Sequence, residues 1–208
     1  MFTIRKFIIS MISVLFMLAL SCVYSSEALS EKDSKSIKGK KIAMIIPFIH
    51  YDSMELNPPK EMFETEGAIV TIVSSERGSA TGTLGAKIEV DVVIEELNVA
   101  DFDAIVFIGG MGVLKYLNDP AAHEIAQQAI EQNKVLAANG WAPVILANAG
   151  VMQGKRATVY SGGSARLEQK GCIYSPDPVV VDGNIITAKG TAEAEEFARE
   201  IITALSSM

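Results

Sequence analysis

From Lys41 to the C-terminus, short apolar runs of strand length alternate with segments of helical spacing, and that alternation restricts the chain to very few architectures. Lys41-Ile42-Ala43-Met44-Ile45-Ile46-Pro47 is long enough for one buried strand. Leu56 to Glu66 carries helical spacing and stops at Gly67, and Ala68 to Val73 is again a strand. The unit recurs as Asp103-Ala104-Ile105-Val106-Phe107-Ile108 before Gly109-Gly110, a helix from Pro120 to Gln132, and the strand Val135 to Ala138. Strands apolar on both sides, each followed by a helix, predict a mostly parallel sheet with helices on both faces. Lys87 to Val92 alternates with period two, as in a half-exposed strand, and Val179 to Thr187 reads as a hairpin about Asp182-Gly183. A last helix is expected from Ala192 to Leu205.

The N-terminal part is of another kind. Arg5 and Lys6 precede the apolar run Phe7 to Leu20, and small polar residues follow, so residues 1–28 read as a secretory signal. The run is shorter than the roughly 20 residues that a spanning helix needs. Two cleavage sites stand open. Leu18-Ala19-Leu20-Ser21-Cys22 is similar to a bacterial lipobox, which would make Cys22 a lipidated first residue, whereas Ser26-Glu27-Ala28 suits ordinary signal peptidase. Residues 29–40 are a polar linker, and residues 41–208 form one domain with no repeat or second linker. The expected location is therefore the periplasm, free or as a membrane-anchored lipoprotein.

Cleavage before Cys22 removes Arg5 and Lys6 from 18 basic residues and none of the 25 acidic ones, which takes the net charge from −7 to −9. Such an acidic product is a poor ligand for nucleic acid. With only Cys22 and Cys172 present, the fold does not rest on disulfides.

In open sheets of this type ligands sit beyond the carboxyl ends of the strands, here the loops after Pro47, Ile108 and Asn139. The third loop, Ala138-Asn139-Gly140-Trp141-Ala142-Pro143, is a sharp strand-to-helix turn of the kind that presents a reactive side chain at positive φ. It holds no nucleophile. Gly140 stands where that side chain would be, and glycine adopts positive φ without steric cost.

Tyr51-Asp52-Ser53-Met54-Glu55-Leu56-Asn57-Pro58-Pro59 is similar to the F-E-D-x-E-L-x-x-P motif of the ThiJ/PfpI superfamily, and Ile108-Gly109-Gly110-Met111-Gly112 to its P-G-G-x-G. Asp119-Pro120 and Val180 to Thr187 agree in order and spacing. The resemblance runs from Lys41 to Leu205 and implies a flavodoxin-like, class I glutamine-amidotransferase-like fold. It also implies an elbow written A-I-C-H-G-P and a glutamate that hydrogen-bonds the thiol. Aligned on Ala137-Ala138 and Pro143, the cysteine position is Gly140 and the histidine position Trp141; aligned on Glu55-Leu56 and Pro59, the glutamate position is Asp52. The glyoxalase, deglycase and peptidase activities of the family need the thiolate, so the resemblance does not carry them to this chain.

The remaining candidates for a ligand pocket are Asp52, Glu55, Gly109, Gly110, Gly140 and Trp141. Asp52 and Glu55 are spaced as an N-cap and a capping-box partner, or as a carboxylate pair able to act as a general base. Gly109-Gly110 reads either as a tight turn or as a source of oxyanion-binding N–H groups. Trp141 either lines the pocket or plugs it. His50 lies in the first loop and His123 on a helix. With Asp52 and Glu55, His50 makes at best an unspecific ligand set, so no metal is expected. No nicotinamide or flavin is expected either, because no third glycine follows Gly112 at the fingerprint spacing. Cys172, distant from every pocket loop, reads as structural.

Two functions remain open. One is a non-catalytic module that binds a small molecule or a protein; the other is a hydrolase- or lyase-type enzyme with Asp52 or Glu55 as general base. The resemblance further implies a homo-oligomer.

Overall fold

The computed structural model describes residues 37–208, so the secretory signal, Cys22 and most of the polar linker lie outside the described residues. The chain runs through β1 (Lys41–Ile45), β2 (Ile49–Tyr51), α1 (Ser53–Thr65), β3 (Ile69–Ser74), β4 (Gly78–Gly82), β5 (Lys87–Val90) and β6 (Val92–Val93). It continues through β7 (Ala104–Phe107), α2 (Pro120–Glu131), β8 (Val135–Asn139), α3 (Pro143–Asn148), β9 (Arg156–Ala157) and α4 (Ser164–Gln169). The last elements are β10 (Ile173–Tyr174), β11 (Val179–Asp182), β12 (Ile185–Ala188) and α5 (Ala194–Ser206).

Seven strands form the central sheet in the order β11-β12-β8-β7-β1-β3-β6, all parallel except the β11–β12 hairpin. Alternate residues of each central strand serve opposite faces. Ile42, Met44, Val106, Ala137 and Ile186 pack with Leu56 and Phe63 of α1 and Phe197 and Ile201 of α5. Ala43, Ile45, Ile105, Phe107 and Leu136 pack with Ile125 of α2 and with Val144 and Leu146 of α3. Each face is thus closed by helices, as the apolar runs require. The chain order reverses between β1 and β7, so α1 leaves the sheet on one face and α2 on the other. That divergence opens the ends of β1, β7 and β8 for a site.

Three elements depart from the expected bounds for local reasons. Helix α1 starts at Ser53, ahead of the apolar spacing, because the Asp52 side chain accepts the Met54 N–H at 2.9 Å and caps it. The alternating stretch Lys87 to Val92 is divided between two sheets. Its first part, β5, pairs antiparallel with β4 in a small sheet with β2, while β6 joins the edge of the main sheet beside β3. Asp91 makes the break: its N–H donates to the Ile72 carbonyl at 2.9 Å, and its carboxylate accepts the Ile72 N–H at 2.7 Å. Helix α5 begins at Ala194, after a short 3-10 turn over Thr191–Glu193.

The core makes a direct prediction. Phe63 is fully buried between α1 and the sheet, and Phe63→Ala is expected to cost about 3–5 kcal/mol in denaturant unfolding. Leu84, 95% exposed, is expected to tolerate Leu84→Ala within about 0.5 kcal/mol.

Candidate functional site

The turn after β8 has the conformation its sequence requires. Gly140 lies at φ 65° between the last residue of β8 and the first turn of α3, and Pro143 opens that helix. Its N–H is held twice, by the Ala188 carbonyl at 3.1 Å and by the Asn139 side-chain oxygen at 2.7 Å. Its carbonyl accepts the Tyr160 N–H at 2.9 Å. Asn139, fully buried, donates from its amide to the Gly190 carbonyl at 3.3 Å and so ties the elbow to the segment leading into α5.

Glu55 fills the space above Gly140. A Cβ at Gly140 would lie 2.6 Å from both Glu55 carboxyl oxygens, and one at Gly109 would lie 2.5 Å from Oε2. Gly190 approaches from the end of β12, where a Cβ would be 3.4 Å from Oε1. The Gly109 N–H donates to Oε2 at 3.0 Å. Three glycine backbones, one beyond each of β7, β8 and β12, therefore surround a carboxyl group delivered by the first turn of α1. A side chain at any of the three would collide with it or crowd it. Glu55 is only 5% exposed, and burial pushes its carboxyl up to about 8, with the nearby charges of Asp52 and Glu193 acting in the same direction and the Gly109 N–H opposing. At neutral pH the group is a neutral acid.

This geometry corrects several expectations. The carboxylate that meets the elbow is Glu55, whereas the motif alignment assigned that place to Asp52; one helical turn brings the third residue of α1 round to the sheet while the N-cap stays at the end. The capping box is half formed. Asp52 caps the helix, but its own N–H donates to the Gly109 carbonyl at 3.2 Å, and the Glu55 side chain turns to Gly109 instead of reaching back. The Gly109 N–H is committed to Glu55, so it is not an open oxyanion donor. Gly110, at φ 108°, is a close-approach glycine: a Cβ there would lie 2.5 Å from both the Asp52 nitrogen and the His50 carbonyl oxygen.

Trp141 is half-buried and packs against the α2–α3 side of the core, with the Arg166 guanidinium 5.6 Å from its ring centroid. The group that plugs the elbow is Glu55. His50 is exposed at φ 62°, and His123 Nε2 is bound to the Leu117 carbonyl at 3.0 Å, so neither reaches the elbow. Cys172 is buried, and desolvation pushes its thiol up to about 11, which leaves it unreactive at neutral pH. Among the described residues, no group of three or more His, Cys, Asp or Glu side chains is arranged to hold a metal ion. Nor is any helix among them long and apolar enough to cross a membrane. Asn139, Tyr160, Gly190 and Glu193 belong to the site but escaped sequence reasoning. Asn139 stood beside Gly140 in the elbow, whereas the other three enter only through contacts across the sheet.

A mostly parallel flavodoxin-like sheet with an elbow beyond β8 and an acidic residue delivered to it by the first helix defines the ThiJ/PfpI/DJ-1 class of α/β proteins. The chain matches the DJ-1/PfpI family over residues 40–204, and it belongs to that family. It is 38% identical to an uncharacterized protein of Methanocaldococcus jannaschii, over 85% of this chain and 87% of that one. It is 32% identical to a deglycase of Pyrococcus abyssi, over 78% of this chain and 98% of the relative. Among solved structures, a ThiJ/PfpI domain protein from Brachyspira murdochii superposes with a TM-score of 0.80 at 28% identity, covering 82% of this chain and 99% of that one. DJ-1beta of Drosophila melanogaster superposes with a TM-score of 0.74 at 26% identity, covering 82% and 92% of the two chains.

Two outcomes test the site. Gly140→Ala combines the strain of positive φ with displacement of a pinned carboxyl, and is expected to cost more than about 2 kcal/mol; in the Glu55→Ala background the cost should fall to about 1 kcal/mol, the backbone share alone. The pH dependence follows from the proton on Glu55. The folded protein keeps it up to about pH 8, while the unfolded chain releases it near the ordinary value of 4.5. Stability from this group is complete below pH 4.5 and is lost as pH rises through about 8. Glu55→Gln should therefore match the wild type near pH 4, exceed it by on the order of 4 kcal/mol at pH 8, and flatten the profile between them, as read by denaturant titration at each pH.

Proposed function

We propose that this chain is an exported member of the DJ-1/PfpI family without the family's catalytic thiol, and that it acts by binding a small molecule or a protein rather than by covalent catalysis. The observation that carries this reading is the bare elbow: Gly140 offers no nucleophile at φ 65°, and the Glu55 carboxyl occupies the space a Cβ there would need. A cysteine cannot share that space with Glu55 as it stands, and the one cysteine among the described residues is buried with a raised thiol pKa. The N–H groups of Gly109 and Gly140 are already satisfied within the protein, which leaves neither to stabilise an oxyanion. Export, with a free or Cys22-tethered product, and self-association belong to the same reading and rest on the leader sequence and on family resemblance.

The test is turnover. The purified protein is expected to leave aldehydes, glycated amines and peptides unchanged at pH 6–9, at enzyme concentrations where a deglycase of the family converts its substrate. Conversion by the wild type that is lost in Glu55→Gln or Asp52→Asn would overturn the binding reading and restore carboxylate catalysis.

A further inference from the structure

The groove between the first and last helices lies on the outer side of the turn that carries Glu55. Its larger hollow, about 530 Å³, is lined by Ser53, Met54 and Asn57 from α1, by Thr191 ahead of α5, and by Glu196 and Arg199 of α5. That volume lies within the range of small-molecule sites. A second hollow of about 400 Å³ adjoins it and shares Pro58, Glu195 and Arg199 as a common wall.

The polar groups of the larger hollow are left unused by the fold. Ser53 is 8% exposed, yet its hydroxyl has no hydrogen-bond partner among the described residues, and the same holds for the Asn57 amide and the Glu196 carboxylate. Among the described residues the Arg199 side chain meets only Glu195, at 3.5 Å, the outer limit of a hydrogen bond, with both side chains more than half exposed. A pair so long and so wet contributes little and exchanges readily. Helix α5, 13 residues long, has no side-chain cap at the N-terminus that faces this hollow. Met54, Pro58, Ala192 and Ala194 supply an apolar wall beside these groups. One unengaged carboxylate, one loosely engaged guanidinium, the accessible hydroxyl of a nearly buried serine and an amide thus stand around a single space with an apolar side.

We propose that this groove binds a small amino-carboxylate zwitterion, a free α-amino acid or a close analogue. The carboxylate of the ligand meets Arg199 and the Ser53 hydroxyl, its ammonium meets Glu196, and its side chain lies against Met54 and Pro58. A simple anion would face Glu195 and Glu196, and a simple cation would face Arg199 and the α5 N-terminus; a ligand with both charges satisfies both sets. The proposal deepens the binding reading and rests on it.

Titration of the 15N-labelled protein with L-methionine, L-glutamate and L-lysine, followed by amide NMR together with the ligand's own proton spectrum, tests it. Saturable shifts at Asn57, Thr191 and Glu196 are expected with at least one of the three. For that amino acid, the decarboxylated amine and the deaminated acid should each bind at least tenfold more weakly. Arg199→Ala and Glu196→Gln should each weaken binding tenfold or more while leaving the thermal midpoint in place. No saturable shift with any of the three, or equal binding of the lone amine, overturns the zwitterion site and leaves the binding reading standing. Chemical conversion of the amino acid in its own spectrum would instead overturn the binding reading.

Discussion

A parallel sheet has no face it can leave in water, and this structure follows from that constraint. Strand β7 is apolar throughout, and β1 and β8 are apolar except for Lys41 and Asn139 at their ends, so helices must close both sides, and the two cores on either side of the sheet meet the requirement with alternate residues of the same strands. Right-handed crossovers then carry α1 to one face and α2 to the other. The carboxyl ends of the strands are the one place where backbone remains available to a site. Gly109, Gly140 and Gly190 all lie there, following β7, β8 and β12.

Within that frame one buried group organises the site. The Glu55 carboxyl is admitted because three consecutive strand ends offer glycine, and it is held by a single backbone N–H. Burial and the acidic neighbours Asp52 and Glu193 keep it protonated, which removes the need for a counter-ion in a place that provides none. The elbow therefore retains the geometry associated with a reactive residue while its volume is occupied by a neutral acid. The identical backbone turn would present a nucleophile beside that carboxyl if position 140 carried one and Glu55 drew back from the space a Cβ needs. The departure from the family pattern lies in the side chains at Gly140 and Trp141 and leaves the fold intact, as the TM-score of 0.80 to a ThiJ/PfpI domain protein at 28% identity illustrates.

The outer side of the same turn of α1 differs in character. Inside, polar groups are matched: Asp52 caps the helix, Glu55 binds Gly109, and Asn139 bridges Gly140 and Gly190. Outside, along the groove to α5, Ser53, Asn57 and Glu196 have no partners among the described residues. The Ser53 hydroxyl, on an otherwise buried residue, is open toward the groove and free to bond a ligand. The first turn of α1 thus separates an interior whose polar groups bond one another from a groove whose polar groups face solvent.

Much of this was legible in the chain itself. Fold class, the order of strands and helices, the hairpin about Asp182-Gly183, the cap at Asp52 and the positive φ of Gly140 all follow from local pattern, because periodicity, capping and glycine geometry act over a few residues. The glycine elbow without a nucleophile was likewise a matter of reading residue types. Which carboxylate reaches that elbow was not. Asp52 and Glu55 differ by less than one helical turn, and only the docking of α1 on the sheet decides that Glu55 faces inward. Gly190 and Glu193 meet Glu55, and Arg199 shares a groove with Ser53, across more than a hundred residues of chain, roughly the length of a small domain, while Tyr160 enters by bonding Gly140. The sequence by itself determined which backbone turns could form. The tertiary structure alone decided which charges and hydroxyls those turns bring together, because side-chain proximity across a sheet depends on how its helices pack and leaves no trace in local spacing.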